Sequence, residues 1–376
     1  MSAHDRGPIT QKPISEIAEY IKNLIPANIP ENYAIKPRFE SIAKEEIIRK
    51  GVVAFRDFLY LFCHRLISDG HLFVKPQKNP KSQMDYPFLH SITDLLADIG
   101  YYGKLSEDGQ TLLVTELPSY TSSIDGKGNK KNPKNSSSML LECLRFLTLC
   151  GFAFNGVDLE AKKVNISGIG LLEVSYPNDP VLLVGLKVMA IADVELRRKR
   201  YINDNNHDNL LCCDYRLIKE EDSDVLDVLR DFLHPLPEEV QKLALELHQR
   251  YIDMGMTCAV IKSVLDIHFA YADIKNSRKV LSTKDIYQKR AWEFSFTMRF
   301  GYCLVIKAKK VDKYSDVIKE FPSHLQQLIA RGYGCDRKLR NEPCQCGCHG
   351  FRIPLDNSIL NIGSSIETWL DNEIKK

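Results

Sequence analysis

The sequence lacks every compact signature of phosphate, metal or nucleophile chemistry. It has no G-x-x-x-x-G-K-S/T loop, no H-E-x-x-H, no G-x-S-x-G elbow and no G-x-G-x-x-G turn. Two near misses fail on context. Gly168-Ile169-Gly170 runs into Leu-Leu-Glu-Val without a third glycine, and "GKGNKK" has neither a strand before it nor a Ser or Thr after it. An active site assembled from distant residues would leave no such trace, so the reading leans towards a non-enzymatic protein and keeps an unrecognised enzyme as the alternative. A long apolar run is also missing. The longest, "VLLVGLKVMAIA" at Val181–Ala192, is interrupted by Lys187 and is too short to span a bilayer. The opening "MSAHDRGPITQK" has no apolar segment of a signal peptide. A soluble, cytoplasmic protein without a membrane partner is expected. Charge of one sign is scarce as well: residues 1–205 carry 26 Lys+Arg against 24 Asp+Glu, and residues 206–376 carry 25 against 25. That balance argues against a large basic surface for nucleic acid, though not against a local one.

What is present is an ordinary globular composition in 376 residues, 44% hydrophobic and 27% charged, long enough for two or three domains. Two polar stretches divide it. "TSSIDGKGNKKNPKNSSS", Thr121–Ser138, reads as a flexible loop, and "INDNNHDN", Ile202–Asn209, as the main linker. The expected organisation is a helix-rich domain over residues 1–205 and an α+β domain over residues 210–376.

In the first domain, helical spacing of Ile42, Ile47, Ile48, Val52, Phe55, Phe58, Leu59, Phe62 and Leu66 predicts a long helix stopped at Gly70. Two helix–hairpin units then follow, the pair spanning about 40–120 and 139–200 with their lead-in residues. The first has a helix predicted to stop at Gly100 and two strands around the turn "EDGQ". The second repeats the order, with a serine cap in "NPKNSSS" and a stop at Gly151, so that Leu95–Gly100 aligns with Phe146–Gly151. A helix leading into a hairpin is the core of a winged-helix module, and two in a row would make a tandem; generic helix–hairpin packing, an order shared by many small α+β units, is the plainer reading. "VELRRKRY" places Arg197, Arg198, Lys199 and Arg200 together beside the linker. They are candidates for DNA phosphates; the plainer reading is a solvated helix end suited to the helix dipole.

The second domain predicts a strong helix in "PLPEEVQKLALELHQRYIDMG" and a half-buried strand in "WEFSFTMRF", where Trp292, Phe294, Phe296, Met298 and Phe300 alternate with Glu293, Ser295, Thr297 and Arg299. "DKYSDVIKEFPSHLQQLIARG" predicts two short helices broken before Pro322. A last helix is expected to start near Ser364 or Ser365. Together these predict a meandering antiparallel sheet covered by helices on one side. The stripe Trp292, Phe294, Phe296, with Phe269 and Tyr271, reads as core ahead of a ligand cleft, and His248, His268 and His324 read as isolated structural or surface residues.

The densest chemistry is the loop of residues 334–350, with Cys335, Cys344, Cys346, Cys348 and His349 spaced C-x8-C-x-C-x-C-H. Cys344 and Cys348 form a zinc-type knuckle that Cys335 and either Cys346 or His349 would complete. One structural zinc, a redox switch helped by Arg337, Lys338 and Arg340, and an unliganded turn all fit this spacing. The other thiols, including Cys212 and Cys213, read as small apolar residues of a reducing compartment.

Three stretches, "LEVSYPNDPVLLVGLKVMAIA", "LCCDYRLIKEE" and "GYGCDRKLRNEPCQCGCHGFRIPLD", resemble a family of uncharacterised bacterial proteins over most of the chain. The C-terminal half is distantly similar to small uncharacterised α+β domains that place K-Y-x-D-x-I-x-x-x-P before a helix and a Cys-rich turn; here that element is "DKYSDVIKEFP". Neither resemblance brings an activity or a site residue with it. The reading that results is a bacterial regulatory or ligand-sensing protein, with a protein–protein adaptor as a further alternative.

Overall fold

The computed structural model describes residues 12–73, 86–124, 130–162, 164, 170–200, 208–221, 224–263, 266–274, 282–297, 300–308, 310–331 and 350–374. The chain divides into two compact units between Ser223 and Asp224. The sequence reading puts that division at Ile202–Asn209. It falls later because the backbone of Lys36 and Glu220 bonds across to Ile218 and Ala34, at 2.9 Å each, tying residues 208–220 to the N-terminal unit. Among the described residues no helix is long and apolar enough to cross a membrane.

The N-terminal unit opens with α1 (Ile14–Leu24) and α2 (Glu45–Ser68). Helix α3 (Pro87–Tyr102) leads into β1 (Lys104–Leu105) and β2 (Thr111–Val114). A short ribbon, β3 (Ser123–Ile124) with β4 (Lys130–Lys131), precedes α4 (Ser137–Leu149), capped by the Ser136 hydroxyl accepting from Met139 N. Strands β5 (Ala153–Asn155) and β6 (Leu172–Ser175) then lead to α5 (Val181–Arg200) and α6 (Asp208–Leu211). The two hairpins join into one antiparallel sheet of order β1-β2-β6-β5, with the second strand of each hairpin at the centre.

The apolar run in α5 is a core helix. Leu182, Leu183, Leu186, Val188, Met189 and Ala190 are buried. It crosses α2 at a glycine pair: a Cβ on Gly185 would meet Val52 N at 2.9 Å and the carbonyl of Gly51 closer still. Gly100 does the same for α3. It does not stop that helix, as its sequence suggests, but lies inside it, where a Cβ would come within 2.7 Å of the Leu186 carbonyl on α5. The helix ends at Gly103 instead, and Lys187 Nζ donates to the Gly103 carbonyl at 2.5 Å. Phe58, Phe62, Phe146, Phe152 and Tyr176 close the core with edge-to-face contacts at 5.1–6.1 Å.

The C-terminal unit begins with α7 (Val225–Leu233) and α8 (Glu238–Asp253). Its strands are β7 (Thr257–Ser263), β8 (Asp266–Ala272), β9 (Trp292–Thr297), β10 (Gly301–Ile306) and β11 (Phe351–Pro354), an antiparallel meander in chain order. Helix α9 (Thr283–Lys289) joins β8 to β9; α10 (Ser315–Lys319) and α11 (Ser323–Arg331) precede β11; α12 (Gly363–Ile374) ends the chain's described part.

One face of this sheet is the aromatic core. Phe269 lies 4.9 Å from Phe232 of α7, Trp292 lies 5.3 Å from Tyr251 of α8, and Phe351 lies 5.4 Å from Trp369 of α12, ring centre to ring centre. The aromatic stripe is therefore packing, not a cleft. The tyrosine of "DKYSDVIKEFP" also has a structural task. Tyr314 OH donates to the buried Glu373 carboxylate and accepts from Trp369 Nε1 at 2.9 Å, fastening α12 to the segment before α10.

The expectations of a half-buried β9 and of helices on one side both need correction. Glu293 and Ser295 are only 3% exposed, so β9 is buried on both faces. Helix α9 covers part of the second face. Its Ser282–Asp285 capping box starts it, and the small side chains of Ala259 and Ala272 let Ile286 settle on the sheet.

Candidate functional site

The second face of the C-terminal sheet holds a buried ionic cluster. Antiparallel register places His268 of β8 directly opposite Ser295 of β9, and Ala270 opposite Glu293. On a pleated strand, residues two apart share a face, so His268, Glu293 and Ser295 come together on the side that α9 covers. Arg290, at the end of α9, completes the group. Its Nε lies 2.5 Å from Glu293 Oε2, and His268 Nδ1 lies 3.5 Å from Glu293 Oε1. Tyr287 of α9 packs against both side chains: the Arg290 guanidinium stacks over its ring at 3.6 Å, and the His268 ring meets it edge-on at 5.4 Å. Arg290 Nη1 also donates to the Tyr287 carbonyl at 2.5 Å.

Withdrawing charges from water costs several kcal/mol per ion, which close pairing offsets only when the remaining lone pairs and protons are hydrogen-bonded. Here the pairing is close but incomplete: Arg290 Nε and Glu293 Oε2 face each other as an ion pair and Arg290 Nη1 is held by the Tyr287 carbonyl, while Arg290 Nε, Glu293 Oε2 and His268 Nδ1 are buried without a well-aligned hydrogen bond. Buried polar atoms are nearly always satisfied, and exceptions mark a bound water, an ion or a functional site. Among the described residues, no three His, Cys, Asp or Glu side chains converge as a metal site.

The sites read from the sequence fare differently. Cys335, Cys344, Cys346, Cys348 and His349 lie outside the described residues. Arg197, Arg198, Lys199 and Arg200 occupy the last turn of the α5 backbone, and their side chains lie outside the described ones. His248 is structural: buried on α8, it shares a 2.7 Å hydrogen bond with Tyr271 OH, and burial lowers its pKa. His324 is exposed beside a shallow groove of about 340 Å³ between α11 and β11, lined also by Leu325, Arg352 and Pro354. His268 is not isolated, because Glu293 faces it.

Six of the seven described thiols are poor nucleophiles. Burial pushes Cys150 and Cys258 up to about 12 and Cys303 up to about 11, and raises Cys63, Cys143 and Cys213 as well. Cys213 is fully buried and its Sγ sits 3.7 Å from the Val52 carbonyl, packing the "LCCDYRL" turn on α2.

The two helix–hairpin units are unequal as well. Every residue of α3 from Ser91 to Gly100 is buried, so that helix has no face to offer a partner. In α4, Ser138, Thr148 and Leu149 are exposed. Comparison with protein-family models, with curated proteins and with solved structures finds no match for this chain.

Proposed function

We propose that this chain is a ligand-responsive regulator whose C-terminal unit binds a small polar molecule at the Arg290–Glu293–His268 cluster. The observation that carries the reading is a buried Arg–Glu–His cluster whose ion pair is close but not aligned as a hydrogen bond. A cluster kept only for stability would be better satisfied or apolar. A ligand that accepts from Arg290 and donates to Glu293 would replace their direct pairing, and the β9 strand linking the cluster to the aromatic core would feel the change. An acid–base enzyme built on the His268–Glu293 pair is the alternative. The raised pKa values of Cys258 and Cys303 weigh against a thiol nucleophile among the described residues of the C-terminal unit.

The N-terminal unit, in this reading, is a tandem of winged-helix-like modules that contacts DNA. The matching order α3-β1-β2 and α4-β5-β6 supports the tandem. Because α3 is buried, the second module is the one to face a duplex, with Arg197, Arg198, Lys199 and Arg200 as phosphate contacts. The Cys335–His349 loop would hold one structural zinc.

The test is thermal unfolding of the purified full chain against a panel of free amino acids, nucleosides and hydroxy acids, repeated with Glu293→Gln. A ligand that stabilises the wild type and not the variant is the expected result. A panel without any stabilising compound, or equal stabilisation of both proteins, would refute the assignment.

A further inference from the structure

We infer that the outer edge of β7 in the C-terminal unit is a self-pairing surface, on which a second copy of this chain lays its own β7 antiparallel and forms a two-fold dimer. The inference is independent of the ligand and DNA readings. The first ground is which backbone groups face outward. Lys307 N donates to the Ala291 carbonyl at 2.7 Å, in the register that pairs β9 with β10. Along an antiparallel ladder, directly opposed residues alternate between hydrogen-bonded and non-bonded pairs. Glu293 and Ser295 therefore bond towards β10, and Trp292, Phe294 and Phe296 towards β8. Carried through the next register, Thr257, Ala259 and Ile261 bond inward to β8. The backbone N–H and C=O of Cys258, Val260 and Lys262 are left pointing out of the sheet, and among the described residues no hydrogen bond reaches them.

The second ground is that this edge is undefended. Strand β7 pairs with β8 over seven consecutive residues without a bulge, and "TCAVIKS" has no proline and a single charge, Lys262, near its end. The opposite edge strand, β11, has four residues and carries Pro354 at an outward position. Short length and proline are the means by which sheet edges avoid pairing, and β7 has neither. Helices cover both faces beside it: Ile286 of α9 packs on Ala259 and Ala272, and Phe232 of α7 meets Phe269. Val260 and Ile261, on opposite faces, stay half-buried, so a further strand would continue both apolar layers.

The third ground is self-complementarity. With the two-fold axis at Val260, that residue pairs with Val260 of the partner subunit, and Cys258 pairs with Lys262 of the partner subunit. Every outward N–H of the ladder then meets a C=O. The two copies of Lys262 stand at opposite ends of the ladder, so like charges are not opposed. The same patch serves both copies, and such an interface closes at two.

The experiment is sedimentation velocity of the full chain from submicromolar to high micromolar concentration, comparing wild type, Val260→Pro and Val260→Lys. Proline removes the outward N–H at the axis, a donor the fold itself does not use. Lysine sets like charges directly opposite each other there. Urea unfolding followed by tryptophan fluorescence confirms that each variant folds. Wild type is expected to reach twice the 43.0 kDa chain mass at high concentration, and both variants to stay at the single mass. Hydrogen exchange of wild type alone gives a readout that needs no variant: peptides covering Thr257–Ser263 should exchange more slowly at high concentration than at high dilution. A wild type that stays monomeric throughout would overturn the inference. So would a dimer that persists in both variants, a doubled mass with unchanged exchange in Thr257–Ser263, or oligomers that keep growing beyond two copies.

Discussion

Replacing Glu293 by Ala leaves the Arg290 guanidinium in place without its counter-ion. The side chains are 10% and 4% exposed for Arg290 and Glu293, so solvent screens the loss little. Breaking a buried ion pair from one side costs about 3–5 kcal/mol. Replacing both partners with apolar residues of similar volume, as in Arg290→Met with Glu293→Leu, removes the stranded charge and is neutral or stabilising by about 1–4 kcal/mol. The two variants should therefore move in opposite directions, or at least differ by several kcal/mol. The assay is built into the sequence. The chain's two tryptophans, Trp292 and Trp369, both lie in the C-terminal unit. Urea unfolding followed by tryptophan fluorescence thus reports that unit alone, and the midpoints of wild type, single and double variants can be compared directly. If the double variant falls as far as the single one, the charges are structural necessities and the argument for a ligand site loses its physical basis. If the single variant matches wild type, the cluster is not buried as described.

Other expectations follow from the same structure. Gly185→Ala should destabilise the N-terminal unit by about 1–3 kcal/mol or more, because its Cβ has only the Gly51 and Val52 backbone to displace; a far-UV circular dichroism melt of equal midpoint would contradict this. Native protein at pH 8 should show at most five reactive thiols, since five of the eleven are buried with raised pKa values and a sixth, the half-buried Cys258, is raised to about 12. With zinc bound at the Cys335–His349 loop, only one or two should react until a chelator is added, with one zinc per chain by elemental analysis; four freely reacting loop thiols and no metal would contradict the zinc. His248 is held neutral by burial, its folded pKa lying below the ordinary 6.5. Its contribution is therefore intact above about pH 6.5 and is lost as pH falls towards the folded value, where the unfolded chain binds the extra proton. The fluorescence-detected unfolding midpoint should fall less between pH 7.5 and pH 5 in His248→Gln than in wild type; equal falls would contradict it.

Much of the fold was legible in the residues, for local reasons. Serine 136, Gly109, Gly151 and Gly255 punctuate their elements as capping and left-handed turns require, and the helix–hairpin order emerges from periodicity. Gly100 misleads because a glycine can serve a helix crossing as well as a helix end; the local sequence does not distinguish the two. Strand β9 misleads in another way. Alternation of Trp292, Phe294 and Phe296 with Glu293 and Ser295 tells which residues share a face, not whether the polar face meets water. That depended on α9, a seven-residue helix too short to show amphipathic periodicity, although its Ser282-x-x-Asp285 cap was present to be read. The candidate site stayed hidden for a related reason. His268 and Glu293 are 25 positions apart and meet through strand register, which no single strand specifies. Arg290 three residues before Glu293 was the one local hint.

The most direct measurement is a high-resolution crystal structure of the full chain soaked with a stabilising compound, with attention to Arg290, Glu293 and His268. The account expects the Arg290–Glu293 pair, 2.5 Å apart without ligand, to open around an ordered molecule that accepts from Arg290 and donates to Glu293. A direct, linear Arg290–Glu293 hydrogen bond, or a cluster completed by water alone, would contradict it.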